Sequence, residues 1–305
     1  MSNSCEDCAS ANVCDSKSQP RDNCKIAADD NLKGSRNHIK NVIAIMSGKG
    51  GVGKSSITAL LASEIKRQGF KTGVLDADIS GASQAKAFGI KKPKMYTSNY
   101  GIIPAETGSN IKLMSINFFL PEEDDPVIWR GPLLASAVNN FWQDTDWQAL
   151  DFLLVDLPPG TGDIPLTVLQ SLPVTGIILV TSPQDLAGLI VTKTIKMVEK
   201  IPLRILGLIE NMSYITCTHC NEQIKLFGSS NAQKIADQHH LPLLAHLPLD
   251  PRLAQLMDTG RIESYNTKEI EKLTAYLLKE LATELTRSEE RRAGKECRSR
   301  WSPYH

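Results

Sequence analysis

Nine residues, Gly48-Lys49-Gly50-Gly51-Val52-Gly53-Lys54-Ser55-Ser56, constrain this chain more than any other feature. They follow the apolar run Val42-Ile43-Ala44-Ile45-Met46, of the kind that forms a parallel strand buried on both faces. They open a segment, Ser55 to Arg67, with Ile57, Leu60, Leu61 and Ile65 on one helical face. Strand, glycine-rich loop and helix in that order satisfy G-x-x-x-x-G-K-[ST] in the context that pattern needs. Glycines let backbone N–H groups turn inward around phosphate oxygens with no Cβ in the way, and the helix N-terminus adds its partial positive charge. Lys54 is placed to neutralise the β- and γ-phosphates, and the Ser55 hydroxyl to ligate Mg²⁺. A chance glycine-rich turn would not carry these flanks, so Gly48 to Ser56 predict a nucleoside triphosphate site.

Strands and helices continue to alternate beyond it. Strands are expected at Thr72–Asp76, Ile111–Ile116, Phe152–Asp156, Gly176–Thr181, Ile205–Asn211 and Leu243–Leu247. Helical patterns occupy Leu133–Trp142, Leu186–Lys200, Asn231–Gln238, Leu253–Leu256 and Lys268–Leu285. That order implies a doubly wound α/β fold with a mainly parallel sheet. No apolar run approaches the roughly 18–20 residues of a membrane span. The N-terminus lacks the apolar region of a secretory signal, so a cytoplasmic protein is expected. With 34 basic and 34 acidic residues there is no global charge to favour nucleic acid.

Both ends differ in texture from the middle. Residues 1–36 are polar and hold Cys5, Cys8, Cys14 and Cys24, and they read as a flexible or metal-ordered arm. Residues 37–286 form the predicted P-loop domain. From Arg287 the sequence RSEERRAGKECRSRWSPYH has no helical or strand period. It is similar to the in-frame translation of a short-read sequencing adapter, with Ala293 the one departure, and it is set aside as an artefact. The alternative is a natural basic tail with membrane or nucleic-acid affinity. Without the tail's six basic and three acidic residues the balance becomes 28 against 31.

The second lysine of the loop, Lys49, makes the pattern KGGVGKS, which resembles the deviant Walker A of the MinD, ParA, nitrogenase iron protein and Mrp group of dimeric ATPases. The resemblance implies that Lys49 reaches the partner's phosphates across a nucleotide-sandwiched dimer; a solvated loop lysine is the alternative. Asp76-Ala77-Asp78 closes the second strand, where its carboxylates would lie beside the phosphates. By resemblance to the group's switch I, Asp78 would orient the attacking water. Leu153-Leu154-Val155-Asp156 has the Walker B pattern, with Asp156 toward Mg²⁺, and the following Leu157 to Asp163 looks like switch II. Isolated aspartates at strand ends are also common caps. Asn211 matches the group's adenine-recognising asparagine, which would favour ATP.

Cys217-Thr218-His219-Cys220 follows directly on Glu210-Asn211-Met212-Ser213-Tyr214. In a reducing compartment such a pair favours metal or redox chemistry over a disulfide. With Asp78-Ile79-Ser80-Gly81, Trp129-Arg130-Gly131-Pro132, Ser182-Pro183-Gln184-Asp185, Phe227-Gly228 and Leu247-Pro248-Leu249-Asp250, it closely resembles the Mrp/ApbC family of iron–sulfur cluster carriers, from about Asn41 to Leu285. One C-x-x-C supplies two thiolates where a [4Fe–4S] cluster usually takes four. The family resemblance implies that a homodimer brings two pairs together, with Cys217 and Cys220 as ligands of a transferable cluster. A zinc site and a redox dithiol are the competing readings. His219 reads as loop surface rather than ligand. Cys5, Cys8 and Cys14 match the last three cysteines of the ferredoxin-like arm of the family's eukaryotic cytosolic members. That arm's first cysteine is missing, and Cys24 lies out of pattern. A second cluster there competes with a metal-free arm.

The resemblance thus implies an ATP hydrolase, slow and coupled to cluster binding or transfer. ATP, Mg²⁺ and a [4Fe–4S] cluster are the expected cofactors. A second copy, apo iron–sulfur clients and a donor scaffold are the expected partners, with no nucleic acid or membrane. The alternative is a MinD/ParA-type switch acting on membrane or DNA. Its membrane form needs a basic amphipathic C-terminal helix, whereas Lys268, Lys272 and Lys279 are offset by Glu269, Glu271, Glu280 and Glu284. An electron-donating reductase like nitrogenase iron protein ranks below both, because that family draws its cluster cysteines from two separated segments.

Overall fold

The computed structural model describes residues 37–78, 81–91, 93–119, 131–228 and 230–282. Cys5, Cys8, Cys14, Cys24 and the tail from Arg287 lie outside these residues.

In chain order the first half contains β1 (His38–Ser47), α1 (Lys54–Arg67), β2 (Thr72–Asp76), α2 (Gln84–Ala87), β3 (Tyr96–Ser98), β4 (Gly101–Ile103), β5 (Ala105–Glu106) and β6 (Lys112–Ser115). The second half contains α3 (Gly131–Asp144), β7 (Ala149–Asp156), α4 (Asp163–Ser171), β8 (Gly176–Thr181), α5 (Asp185–Val198), β9 (Ile205–Glu210), β10 (Ile215–Thr216), β11 (Gln223–Ile224), α6 (Ala232–Gln238), β12 (Leu243–His246) and α7 (Pro251–Asp258). A last helix, α8, covers 268–282.

Eight strands form one sheet in the order β12-β9-β8-β1-β7-β2-β6-β5. All neighbours are parallel except β5 and β6. The central strands are runs of Val, Ile and Leu because helices cover both of their faces, which leaves no solvent side for polar residues. From Asn41 on, every residue of β1 is buried, as are all of β2 and β8. Each fully buried aliphatic side chain contributes roughly 1.5–3 kcal/mol from area removed from water.

This topology collects the chemistry at one edge. β1, β2, β7, β8 and β9 are parallel, so their C-terminal ends, Ser47, Asp76, Asp156, Thr181 and Glu210, emerge on the same side. The chain reverses its winding at β1, which lies between β7 and β8, and such a crevice is where open α/β sheets bind ligands. The register sets Asp156 opposite both Ile45 and Asp76, placing two carboxylates side by side at the mouth of the P-loop.

Helix α8 does not offer its apolar side to an external surface. Ile270, Leu273, Leu277 and Leu281 are all buried in the core. No described helix is long and apolar enough to cross a membrane. Several elements had no clear sequence pattern: the β3–β4 hairpin, the short α2, helix α4 and the β10–β11 hairpin.

Candidate functional site: a nucleotide loop and a cysteine hairpin

The P-loop leaves β1 at Ser47, whose Oγ donates to the Lys49 carbonyl at 3.0 Å. It enters α1 through Gly53, in the left-handed region at φ 82°. A Cβ at Gly53 would fall 2.2 Å from Asn211 Nδ2, so glycine is favoured there both by backbone conformation and by the close approach of the Asn211 side chain, just after β9. Around the loop lies a cleft of about 310 Å³, bounded also by Asp78, Ser83, Pro159 and Met257. Lys49, Gly50, Gly51, Val52, Gly53, Lys54, Ser55 and Ser56 all line it, whereas Gly48 lies against Ile190 and Thr194 of α5.

Lys54 is 5% exposed and its ammonium is fully engaged within the chain. Nζ donates to Asp156 Oδ1 at 2.5 Å, lies 3.6 Å from Asp78 Oδ2 and 3.5 Å from Ser55 Oγ. Two side chains hold Asp156 from the other directions: Gln84 Nε2 donates to Oδ2 at 2.7 Å and Thr58 Oγ1 to Oδ1 at 3.3 Å. The motif lysine, the Walker B carboxylate, the Ser55 hydroxyl and Asp78 therefore meet at one point. An ammonium beside carboxylates and a hydroxyl fits a phosphate with its Mg²⁺, the cation being held by oxygen ligands from Ser55 and Asp156.

Asp76 behaves differently from its neighbours. It is fully buried; Oδ2 accepts from Gln84 N at 3.1 Å and Ser115 Oγ at 3.3 Å, while Oδ1 has no partner among the described residues. Burial first, then the adjacent Asp156 carboxylate, pushes its pKa up to about 8, against the opposing pull of the Gln84 N–H and Lys54. At neutral pH it holds its proton.

Asn211 follows β9, with N donating to the Thr181 carbonyl at 2.8 Å and Nδ2 to the Val52 carbonyl at 2.9 Å. The asparagine matched to adenine recognition is thus attached to the P-loop itself. Lys49 Nζ donates to Gln184 Oε1, just after β8, within the same chain. The segment after β7 that resembles switch II is tied to β1 by Leu157 N to Ile45 O at 3.1 Å and Gly160 N to Ser47 O at 2.8 Å.

The cysteine pair lies at the tip of a two-stranded hairpin, β10–β11, in which Ile215 pairs with Ile224 and Thr216 with Gln223. Its turn is closed by Cys217 N to Glu222 O at 2.9 Å and Asn221 N to Cys217 O at 3.0 Å. Both cysteines are free thiols, Cys217 half-buried and Cys220 exposed. The backbone N–H groups of Cys220 and His219, and then the Cys220 side chain, hydrogen-bond the Cys217 sulfur and hold its pKa below the usual thiol value. The turn thus stabilises a thiolate, the form that ligates metal. Beside it Ile224, Leu226 and Phe227 are exposed. Among the described residues no group of three or more His, Cys, Asp or Glu could hold a metal ion. One chain therefore supplies two thiolates and no third ligand of those types from the described residues.

The structure brings together Lys54, Ser55, Asp78 and Asp156, and separately Cys217 and Cys220. Sequence reasoning missed Gln84 and Thr58, which orient Asp156. Thr58 had a readable signal: it lies four residues after Lys54, on the same face of α1. Gln84 had none, because its helix is a single turn.

The family model described as ParA, NUBPL iron-transfer P-loop NTPase, matches residues 38–286. The chain is 39% identical over 269 residues to the iron-sulfur cluster carrier protein of Clostridium perfringens, covering 86% of this chain and 94% of that protein. Among solved structures it is similar to a nucleotide-binding protein from Archaeoglobus fulgidus, in complex with ADP and with cobalt found. The TM-score is 0.69 at 42% identity, over 76% of this chain and 91% of the other. The cell division ATPase MinD of Pyrococcus furiosus shares the fold, with a TM-score of 0.56 at 22% identity over 79% of this chain and 99% of that one.

Proposed function

The chain belongs to the NUBPL iron-transfer P-loop NTPase family, and from that premise we propose that it is an ATP-dependent iron–sulfur carrier. It would hold a [4Fe–4S] cluster between two copies of itself and pass it to apo-proteins. The observation that carries the reading is the Cys217–Cys220 turn, in which two backbone N–H groups already face one sulfur on an exposed hairpin of the P-loop domain.

Two thiolates per chain are half of what a cubane cluster usually takes. A second copy supplies the other half and covers Ile224, Leu226 and Phe227, whose exposure would otherwise be a cost in water. The cluster is cargo here, and ligation by two separable hairpins suits a cargo that must leave. At the nucleotide end, Lys54 transfers its contacts from Asp156 to the β/γ-phosphates, and Asp156 and Ser55 take the Mg²⁺. Bound Mg²⁺ supplies charge neutralisation of the phosphates. Asp78, 3.6 Å from the ammonium, is placed to orient the attacking water, and Lys49 exchanges Gln184 for the partner copy's nucleotide. Asn211 selects adenine.

Hydrolysis is slow and coupled to cluster loading or release. The protein acts in the cytoplasm, receives its cluster from a donor scaffold, and uses neither membrane nor nucleic acid. Residues 1–36 are a separate cysteine arm carrying a second cluster on Cys5, Cys8, Cys14 and Cys24, and residues 287–305 take no part. The test is anaerobic transfer from the reconstituted protein to an apo acceptor of a [4Fe–4S] cluster. Wild type is expected to restore the acceptor, and Cys217→Ser/Cys220→Ser is expected to lose transfer; undiminished transfer by that variant rejects the reading.

A further inference from the structure

Between the two sites lies a buried carboxylate with no place in the chemistry above. Glu210 ends β9 and is 1% exposed. Its Oε1 accepts from Ser230 Oγ at 2.5 Å. Its Oε2 accepts from Ser213 Oγ at 2.7 Å and faces His246 Nδ1 at 2.9 Å. Ser213 and Ser230 lie on either side in sequence of the hairpin that carries Cys217 and Cys220, and serve as its two feet. Each foot is fixed further. Ser230 Oγ accepts from Ala232 N at 3.0 Å at the start of α6, and Ser213 N donates to Leu247 O at 2.8 Å beyond β12. A buried carboxylate is costly unless every lone pair finds a donor, so this knot is held by its own geometry.

The adjacent residue faces the other way. Successive side chains of a strand alternate in direction, and Asn211 turns to the Val52 carbonyl of the P-loop while Glu210 turns to the hairpin feet. One dipeptide thus touches both the loop that would hold phosphate and the base of the hairpin that would hold cargo.

We propose that Glu210 is a positioning residue that clasps the two feet of the cysteine hairpin and, through Asn211, couples the hairpin to the state of the P-loop. The inference deepens the carrier reading and rests on it for the cargo. A displacement of the Val52 carbonyl moves Asn211, and with it the carboxylate that sets the spacing of Ser213 and Ser230. Such coupling needs a hairpin with a looser and a tighter state whose balance nucleotide shifts. Removing the shared acceptor takes the Ser230 hydroxyl's acceptor away and leaves Ser213 Oγ to the Glu210 carbonyl at 3.1 Å, which shifts local opening by on the order of tenfold.

The test uses the full chain in which Cys5, Cys8, Cys14 and Cys24 are replaced by serine, so that the arm thiols do not bind the probe metal, and adds Glu210→Ala, Glu210→Gln and Ser230→Ala. Amide hydrogen exchange of residues 214–228 is followed with and without ATPγS, alongside cobalt(II) titration read by thiolate-to-metal charge transfer. In wild type ATPγS is expected to slow hairpin exchange. Glu210→Ala should speed that exchange about tenfold, abolish its response to ATPγS and weaken cobalt binding about tenfold, with ATPγS affinity retained. Glu210→Gln, which keeps an acceptor oxygen, should restore most of the response. Ser230→Ala, which frees one foot only, decides the matter if Glu210→Ala does not fold. Unchanged hairpin exchange and unchanged ATPγS response in Glu210→Ala and Ser230→Ala overturn the proposal. A cobalt spectrum lost in Cys217→Ser/Cys220→Ser but unaltered in Glu210→Ala overturns the positioning role and leaves the carrier reading intact. A cobalt spectrum retained by the double cysteine variant overturns the carrier reading instead, while the exchange data still judge the clasp.

Discussion

The nucleotide loop and the cysteine hairpin lie at the same edge of one sheet and are built on opposite terms. At the loop, Lys54 and Asp156 are buried and paired, and Gln84 and Thr58 complete the carboxylate's hydrogen bonds. At the hairpin, two free thiols and three exposed apolar side chains face outward, held by a ladder of two residue pairs. A site that must do the same chemistry at every turnover gains from preorganised charges in a dry setting. A site that must give up its contents gains from exposure and from ligands divided between separable bodies. The difference teaches which changes should stop the protein and which should only loosen it.

The largest effect should come from Lys54→Ala, which removes the ammonium at the meeting point of Ser55, Asp78 and Asp156. ATP turnover by the purified protein should fall on the order of a thousandfold, while the hairpin's thiol chemistry should stay as it was. A matching loss of hairpin chemistry in the nucleotide-free protein would mean that the hairpin depends on the loop even without the nucleotide that couples them.

Asp156→Ala should cost about 3 kcal/mol in urea unfolding, because it takes the nearer carboxylate from a buried ammonium and leaves it only the Asp78 carboxylate at 3.6 Å, whereas breaking an exposed pair costs little. Asp76 sharpens the same point through pH. Its native pKa, about 8, lies above the unfolded carboxylate value of 3.8, so the native state binds more protons between those limits. The Asp76 contribution to stability is therefore fully present below about pH 4 and declines as pH rises toward 8, with a slope of at most about 1.4 kcal/mol per unit. Asp76→Asn should flatten that decline in denaturation curves measured at pH 5 through 8.

A smaller effect is expected at the hairpin. Alkylation of Cys217 in the metal-free protein should have its pH midpoint below that of an ordinary thiol, since the N–H groups of Cys220 and His219 favour the thiolate. An ordinary midpoint, read by mass spectrometry of the modified peptide, would mean that the turn does not prepare the sulfur.

The same contrast explains what is legible in the sequence. The core strands were legible because burial on both faces demands continuous apolar runs, and β8 was delimited to the residue. β1 begins at His38, four residues before its apolar run, because its first turns are half exposed and carry polar residues. Helix α4 escaped notice because Pro165 sits in it, although a proline in the first turn costs no hydrogen bond. The β3–β4 hairpin has no buried residue and so no apolar signature. At the site, Lys54 and Asp156 were legible because their roles fix their spacing to a strand or helix end. Glu210 was not, since its partners lie 3, 20 and 36 residues downstream and only folding assembles them.

The most direct measurement of the central claim is anaerobic reconstitution followed by iron, sulfide and zinc analysis with Mössbauer spectra, on protein lacking the four arm cysteines. About two irons per chain, in a [4Fe–4S] cluster and a dimer, are predicted, with none in the further variant Cys217→Ser/Cys220→Ser. Zinc in place of iron, or a full cluster complement retained without Cys217 and Cys220, would contradict the account.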